Sequence, residues 1–361
     1  MPDSQACCLE SYHVTRESMA DKSSIEWTDA TWPIVQGCDP VSPGCVFCYA
    51  VPLLWRMAHN PNAKISAPLK DVVEGYAPAS GETILRFTGK IALREDRLDW
   101  PLKWKKGRMI FVPSHGDIFH KDVPDEFIDK IFAVMALCPQ HTFQVLTKRA
   151  ERMRAYLSRA DLSDALLDAC REVYGRSSMK HYPVGVFDGV DYDIVNFRHS
   201  PLPNVWLGVS CERQQEADER RDPLRALAAQ GWTTFVSYEP ALGPVDWSGW
   251  EFLRWLISGG ESGPKARPSQ PDWHRAARDW CARNGVAYFF KQWGAWAPDR
   301  PTSGRWKEFE PTVEANGLGP NMWPVGKKAA GRLLDGREWN EMPSVVLTEA
   351  GHALAKEKGL V

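Results

Sequence analysis

The sequence has no run of about 18 apolar residues, the length a helix needs to cross a bilayer, and its opening stretch, MPDSQACCLESYHVTRESMADKSS, lacks the apolar segment of a secretory signal. These absences argue against a membrane-spanning helix and predict a cytoplasmic protein. Charge of one sign is not in excess either: 44 Lys and Arg stand against 46 Asp and Glu, a formal net charge of −2. That balance argues against a protein that coats nucleic acid by bulk attraction, and leaves room for a local basic groove. Internal repeats and low-complexity tracts are missing as well.

What is there is the composition of a globular protein, 361 residues with 43% hydrophobic and 25% charged. Short β-branched runs alternate with amphipathic stretches, the pattern of βα units around a parallel sheet. The expected strands are Ile34–Gly37, Thr83–Phe87, Met109–Pro113, Thr142–Thr147, Val205–Ser210, Thr233–Tyr238, Arg254–Ser258 and Val286–Lys291. Between them lie expected helices at Pro124–Leu137, Ala150–Ser158, Gln214–Ala229 and Asp272–Asn284. The fold class predicted is α/β, a (β/α) barrel, full or partial. Residues 1–22 are expected as a leader, 23–296 as the barrel with an insertion at about 161–203, and 297–361 as a C-terminal extension packed on the barrel.

Nine cysteines in a cytosolic chain are expected as thiols or metal ligands rather than disulfides. Cys7, Cys8, Cys138, Cys170, Cys211 and Cys281 are scattered and read as incidental or buried thiols. Cys38, Cys45 and Cys48 are different, falling as C-x6-C-x2-C in a loop rich in Gly and Pro after a short apolar run. No fourth Cys or His stands nearby at a spacing that would close a zinc site. Three thiolates fit a [4Fe–4S] cluster whose fourth iron stays open for an exogenous ligand. From spacing alone, a cluster, a zinc ion and three unconnected thiols all remain open.

The segments IEWTDATW, VSPGCVFCYA, GDIFH, FQVLTKR, NVWLGVS, SYEPALGP, ISGGESGPKARP, FFKQWG and VGKKAAGRLLDG, from about Ser23 to Pro343, resemble the three-cysteine-motif proteins of phages and bacteria in the radical S-adenosylmethionine (SAM) class. The strand-end Thr-Lys and the later Ser are also similar to the spore photoproduct lyase branch, which repairs a DNA lesion. These resemblances imply a radical SAM-type barrel, a [4Fe–4S] cluster on Cys38, Cys45 and Cys48, and SAM as its open-site ligand. They further imply an adenine-side aromatic at Tyr49, contacts from Lys148 and Ser210 to the SAM carboxylate, and an external one-electron reductant.

Polar residues at other expected strand ends complete the picture, because barrel enzymes keep their chemistry at that rim. Ser114 and Asp117 in SHGDIFH offer acceptors for the SAM ammonium, against the alternative of a turn with a helix cap. Glu239 in SYEP and Glu261 in GGESG are candidates for ribose hydroxyls or a substrate amine, against structural salt bridges. Lys291, Gln292 and Trp293 in FFKQWG are candidates for recognising a planar base, against ordinary packing at the end of a strand. Basic and aromatic residues mix in WPLKWKKGR and KRAERMRAY, runs that can track a phosphate backbone or simply form solvated faces. The expected substrate is therefore a nucleobase in DNA or RNA, or a nucleotide. The alternative from another class is a non-catalytic, zinc-holding nucleic-acid module.

Overall fold

The computed structural model describes residues 23–77, 83–176, 201–298 and 322–343. The expected leader, 177–200 of the expected insertion, and 299–321 and 344–361 of the expected extension lie outside the described residues.

The strands in chain order are Ala30–Thr31 (β1), Val35–Gly37 (β2), Val73–Tyr76 (β3), Ile84–Phe87 (β4), Ala92–Leu93 (β5), Met109–Val112 (β6), His115–Gly116 (β7), Thr142–Thr147 (β8), Val205–Ser210 (β9), Thr233–Tyr238 (β10), Trp255–Gly259 (β11), Ala287–Gln292 (β12), Trp296–Ala297 (β13) and Trp323–Pro324 (β14). Seven of them form one sheet in the order β1, β6, β8, β9, β10, β11, β12, with every neighbouring pair parallel. The sheet does not close from β12 back to β1, so the barrel is partial. The main helices are Ala50–Ala58 (α1), Asp125–Ala136 (α2), Ala150–Leu157 (α3), Leu162–Arg176 (α4), Gln214–Ala229 (α5) and Pro271–Asn284 (α6). None of the helices among the described residues is long and apolar enough to cross a membrane.

Six of the eight expected strand runs lie side by side in this sheet. The other two depart from expectation. Ile34–Gly37 is not the first barrel strand; Val35–Gly37 pairs with β5 and β7 in a separate three-stranded sheet, and the sheet begins instead with the two residues of β1. Thr83–Phe87 pairs antiparallel with β3 in a hairpin beside α1, where Leu54, Leu69, Val72 and Val73 form a small core of their own. Strand propensity was real in both runs, but a local partner was closer than the sheet.

Strand alternation sorts side chains onto two faces. In β9, Val205, Leu207 and Val209 join the core that includes the helices, while Trp206 faces the concave side. All six residues are buried, as expected for a parallel strand covered on both faces. The concave side is filled by Trp27, Phe111, Trp206, Phe235, Trp255, Ile257 and Phe289, with edge-to-face contacts such as Trp27–Trp255 at 6.0 Å. Gly208 makes this filling possible: it lies opposite Phe235, and a Cβ there would stand 2.3 Å from the Phe235 ring. The edge strand β12 is covered by residues 322–343, with the Phe290 N–H donating to Trp339 O at 2.9 Å and the Trp255 indole N–H donating to Glu341 O at 2.9 Å.

Replacing Gly208 by Ala overpacks this face and is expected to lower stability by about 1–3 kcal/mol, with partial recovery when Phe235 is shortened to Leu. Equal urea midpoints for Gly208→Ala and the parent would contradict the packing argument. A second prediction concerns acid. His274 is wholly buried between Ser258 Oγ, 2.5 Å from Nδ1, and Ser269 Oγ, 2.9 Å from Nε2, and burial lowers its pKa to about 3. The unfolded chain binds a proton at His274 near pH 6.5, the folded one only near 3. Stability is therefore expected to fall as pH drops through that window, and the slope to flatten in His274→Gln, as read by thermal melts from pH 7 to 4.

Candidate functional site

The loop leaving β2 holds the three closely spaced cysteines. Its backbone coils on itself, Cys45 N donating to Ser42 O at 2.9 Å and Cys48 N to Cys45 O at 3.3 Å, before α1 begins with Val51 N on Cys48 O at 3.2 Å. As a result all three thiols line one cavity of about 150 Å³ at the C-terminal ends of β6, β8 and β9, together with Tyr49, Ser114, His115, Asp117, Lys148, Arg149 and Ser210.

Three separate cationic contacts pin the loop to the strand ends. Lys148 ion-pairs with Glu212 and donates to Ser42 Oγ at 3.1 Å, while Ser42 donates to Glu212 Oε1 at 2.8 Å and Arg220 donates to Oε2 at 2.9 Å. Arg149 reaches Asp117 Oδ2 at 2.9 Å, Asp39 Oδ1 at 2.5 Å and Cys38 Sγ at 3.5 Å. Arg267, gripped by both oxygens of Glu261 at 2.5 and 2.8 Å, donates to Pro43 O at 3.0 Å and lies over the Phe47 ring at 5.2 Å. Close approach requires glycine at position 44: a Cβ there would come within 2.6 Å of Glu212 Oε1 and 2.9 Å of Lys148 Nζ.

The electrostatics follow. Burial would raise the Glu212 carboxyl, yet the Lys148 and Arg220 charges outweigh it and the net shift is down, so Glu212 is ionised. Burial, then the Asp117 carboxylate, push the Cys38 thiol up to about 12 against the opposing pull of Arg149, and burial also raises Cys48. Such thiols are poor nucleophiles; they become thiolates when a cationic centre compensates their charge. Among the described residues no three Cys, His, Asp or Glu side chains are close enough to share one metal ion. A zinc tetrahedron with 2.3 Å bonds needs sulfurs only about 3.8 Å apart, whereas a cube of four irons takes its thiolates at separate corners. The donor set, three thiols around one cavity with the Ser114 hydroxyl buried and unpartnered at its wall, is one that such a cube can take.

Not every residue singled out from the sequence meets at this cavity. Cys38, Cys45, Cys48, Tyr49, Ser114, Asp117, Lys148 and Ser210 line it. Tyr49, a residue 54% exposed, donates its hydroxyl to Ser114 O at 2.7 Å. Asp117 is committed elsewhere: its oxygens accept from Thr147 Oγ1 at 2.8 Å, Phe119 N at 2.9 Å, Lys148 N at 3.2 Å and Arg149. Glu261 is likewise committed to Arg267. Glu239 pairs with Lys291 at 2.8 Å, and Gln292 donates to Ser262 Oγ at 2.9 Å, forming a second polar group at the ends of β10 and β12. Trp293 stands apart from both, buried against His274 and Phe290 with its indole N–H on Leu333 O at 2.8 Å, so packing rather than base stacking occupies its ring.

Sequence reading missed Glu212, Arg149, Ser42, Asp39 and Arg267. Glu212 lies two residues past the end of β9 and Arg149 two past β8, so the strand-end rule that found Lys148 and Ser210 could have found both. Nothing in the sequence marked Ser42 or Arg267. The run WPLKWKKGR precedes the N-terminal end of β6, opposite the cavity, and in KRAERMRAY the Arg152 and Arg154 side chains are held by Asp125 at 2.8 Å and Glu151 at 2.5 Å.

Residues 22–343 match the family model DUF5131, described as "Protein of unknown function". The chain belongs to this family. No curated protein matches it. Solved structures of spore photoproduct lyase are similar at low identity: one complexed with dinucleoside spore photoproduct is 12% identical with a TM-score of 0.37, covering 87% of this chain and 74% of its own. A mutant of that lyase with bound AdoMet and dinucleoside spore photoproduct is 11% identical with a TM-score of 0.37, covering 86% of this chain and 72% of its own. Overlap at that level is too slight to carry over a ligand or a residue's role.

The site generates a stability prediction. Glu212→Gln leaves Lys148 and Arg220 facing each other without their shared carboxylate, and is expected to cost about 3–5 kcal/mol. Adding Lys148→Met should restore part of the loss. A urea midpoint for Glu212→Gln equal to that of the parent would show that the pair does not hold the loop.

Proposed function

We propose that this protein is a radical SAM enzyme in which Cys38, Cys45 and Cys48 hold a [4Fe–4S] cluster with one open iron. The observation that carries the reading is the arrangement of the thiols: three of them line a single cavity at the C-terminal ends of parallel strands. When bound, the cluster supplies the single electron, received from an external reductant, that breaks the C5′–S bond of SAM and yields a 5′-deoxyadenosyl radical.

The chain's own residues bind and orient. Ser114 Oγ is buried without a partner and offers an acceptor to the SAM ammonium. Ser210 stands on the concave face at the end of β9, where a hydroxyl suits the SAM carboxylate, while Lys148 beside it at the end of β8 stays paired with Glu212 and holds the cysteine loop. The Tyr49 ring, fixed through its hydroxyl, makes a flat wall for adenine. The Arg149 N–H on Cys38 Sγ stabilises negative charge on that sulfur. Asp117 and Glu261 act one step back, by aiming Arg149 and Arg267 at the cysteine loop. The Glu239–Lys291 pair with Gln292 is the candidate contact for a substrate nucleobase or nucleotide, undergoing modification or repair.

Anaerobic purification tests the reading. The expected protein is brown, carries about four irons, and releases 5′-deoxyadenosine with dithionite and SAM; a colourless protein holding one zinc would support the nucleic-acid module instead. Cys45→Ala should lose both iron and SAM cleavage, while Cys281→Ala, buried in α6, should keep both. Iron retained in Cys45→Ala would overturn the ligand assignment.

A further inference from the structure

A chain of hydrogen bonds runs behind the cysteine loop and ends on a cavity residue with no role so far. Arg94, 3% exposed, is locked in plane by Asp96, its Nε and Nη2 each 2.8 Å from a carboxylate oxygen. Its Nη1 donates to Gln36 Oε1 at 2.6 Å. A guanidinium has donors only, so the fully buried Gln36 amide must turn its oxygen toward Arg94. The other end of that amide, Nε2, lies 3.2 Å from His115 Nδ1. It too is a donor only, so His115 Nδ1 must accept. An imidazole that accepts at Nδ1 is neutral and carries its proton on Nε2. Backbone pairing fixes the relationship, because Gln36 and His115 are register partners in β2 and β7.

We infer that His115 is a ligand-binding residue whose tautomer is set by Arg94 through Gln36, so that it offers a neutral Nε2–H donor to an uncharged acceptor on a nucleobase, a ring nitrogen or carbonyl oxygen. Nδ1 is taken by Gln36, and His115 lines the cavity together with the exposed residue Tyr49. Burial, and then the nearby charges of Arg97 and Arg94, lower the His115 pKa to about 4, in keeping with a neutral donor. A flat aromatic wall and a single uncharged donor suit a base, whereas a phosphate calls for the free cations that the carboxylates of Glu212, Asp117 and Asp39 have already engaged. The adenine of SAM and a substrate base share this chemistry. The inference rests on the cavity being the ligand site of the proposed enzyme.

Two measurements on the full-length chain test it. Long-range ¹H–¹⁵N NMR of histidine-labelled protein at pH 7.5, with His115→Gln used to assign the signal, should show His115 neutral and protonated at Nε2. A proton on Nδ1, or an imidazolium, overturns the inference whatever the cavity binds. Equilibrium dialysis of anaerobic, iron-loaded protein then uses SAM, adenosine and thymidine as probes. His115→Phe should weaken binding about 10-fold, the loss of roughly one hydrogen bond, while His115→Gln, whose amide can stand in for Nε2–H, should stay within about three-fold of the parent. Gln36→Glu reverses the hydrogen-bond sense with little change of shape and should weaken binding like His115→Phe. Loss confined to SAM and adenosine places the cofactor's adenine on His115, and loss confined to thymidine places a substrate base there. If the parent binds SAM and His115→Phe binds every probe equally well, this inference fails alone; if the iron-loaded parent binds none of them, the radical SAM reading fails with it.

Discussion

Glu212 has no exposed surface, and a carboxylate in that position persists only if its charge is met on the spot. Lys148 and Arg220 meet it from two sides, and Ser42 joins from the cysteine loop. The consequence reaches beyond one ion pair. Because Ser42 belongs to the same short loop as Cys38, Cys45 and Cys48, neutralising Glu212 also fixes where the thiols lie relative to the strand ends. Gly44 belongs to this constraint, since any side chain there would push the carboxylate and the ammonium apart. Arg149, just past the end of β8, and Arg267, in the segment between β11 and α6, repeat the device, each held by a carboxylate and each touching the loop. The loop is thus organised by side chains that come from well beyond it in the chain.

The concave face explains why the cavity lies where it does. Aromatic rings from β6, β9, β10, β11 and β12 fill the middle of the partial barrel and leave no room for a ligand there. Beyond the last ring of each strand the same alternation brings up Lys148, Ser210, Glu239 and Lys291, so the change from apolar to polar along one face marks the boundary between core and site. Carboxylates at this rim are not spare. Asp117, Glu212, Glu239 and Glu261 each hold a lysine or arginine, and the groups left for a ligand are mostly uncharged: the Ser114 hydroxyl, the Tyr49 ring and the His115 N–H.

Much of this was legible in the sequence, and the failures have physical causes. Strands β6 and β8 through β12 could be read because each is a four- to six-residue apolar run, long enough for its composition to speak. β1 could not: two residues inside a polar segment carry no period, and only pairing with Ile110 and Phe111 makes them a strand. The Thr83–Phe87 run looked like a barrel strand because propensity does not say which partner a strand will find. Trp293 and Glu261 follow strand ends in the chain, yet a strand-end residue can turn to ligand, core or neighbour, and here they turn to His274 and Arg267.

The sequence by itself determined the alternation of strands and helices, the membership of three cysteines in one short loop, and the polar residues that follow each strand, because these depend on local order along the chain. Only the tertiary structure decided that Arg149, Glu212 and Arg267, far from the cysteines in sequence, bind their loop, and that Arg94 reaches through Gln36 to choose the protonated nitrogen of His115. Such partnerships are hydrogen bonds and charge contacts across folded strands. Their geometry exists only once the parallel sheet has brought its C-terminal ends together, and no spacing between residues encodes it.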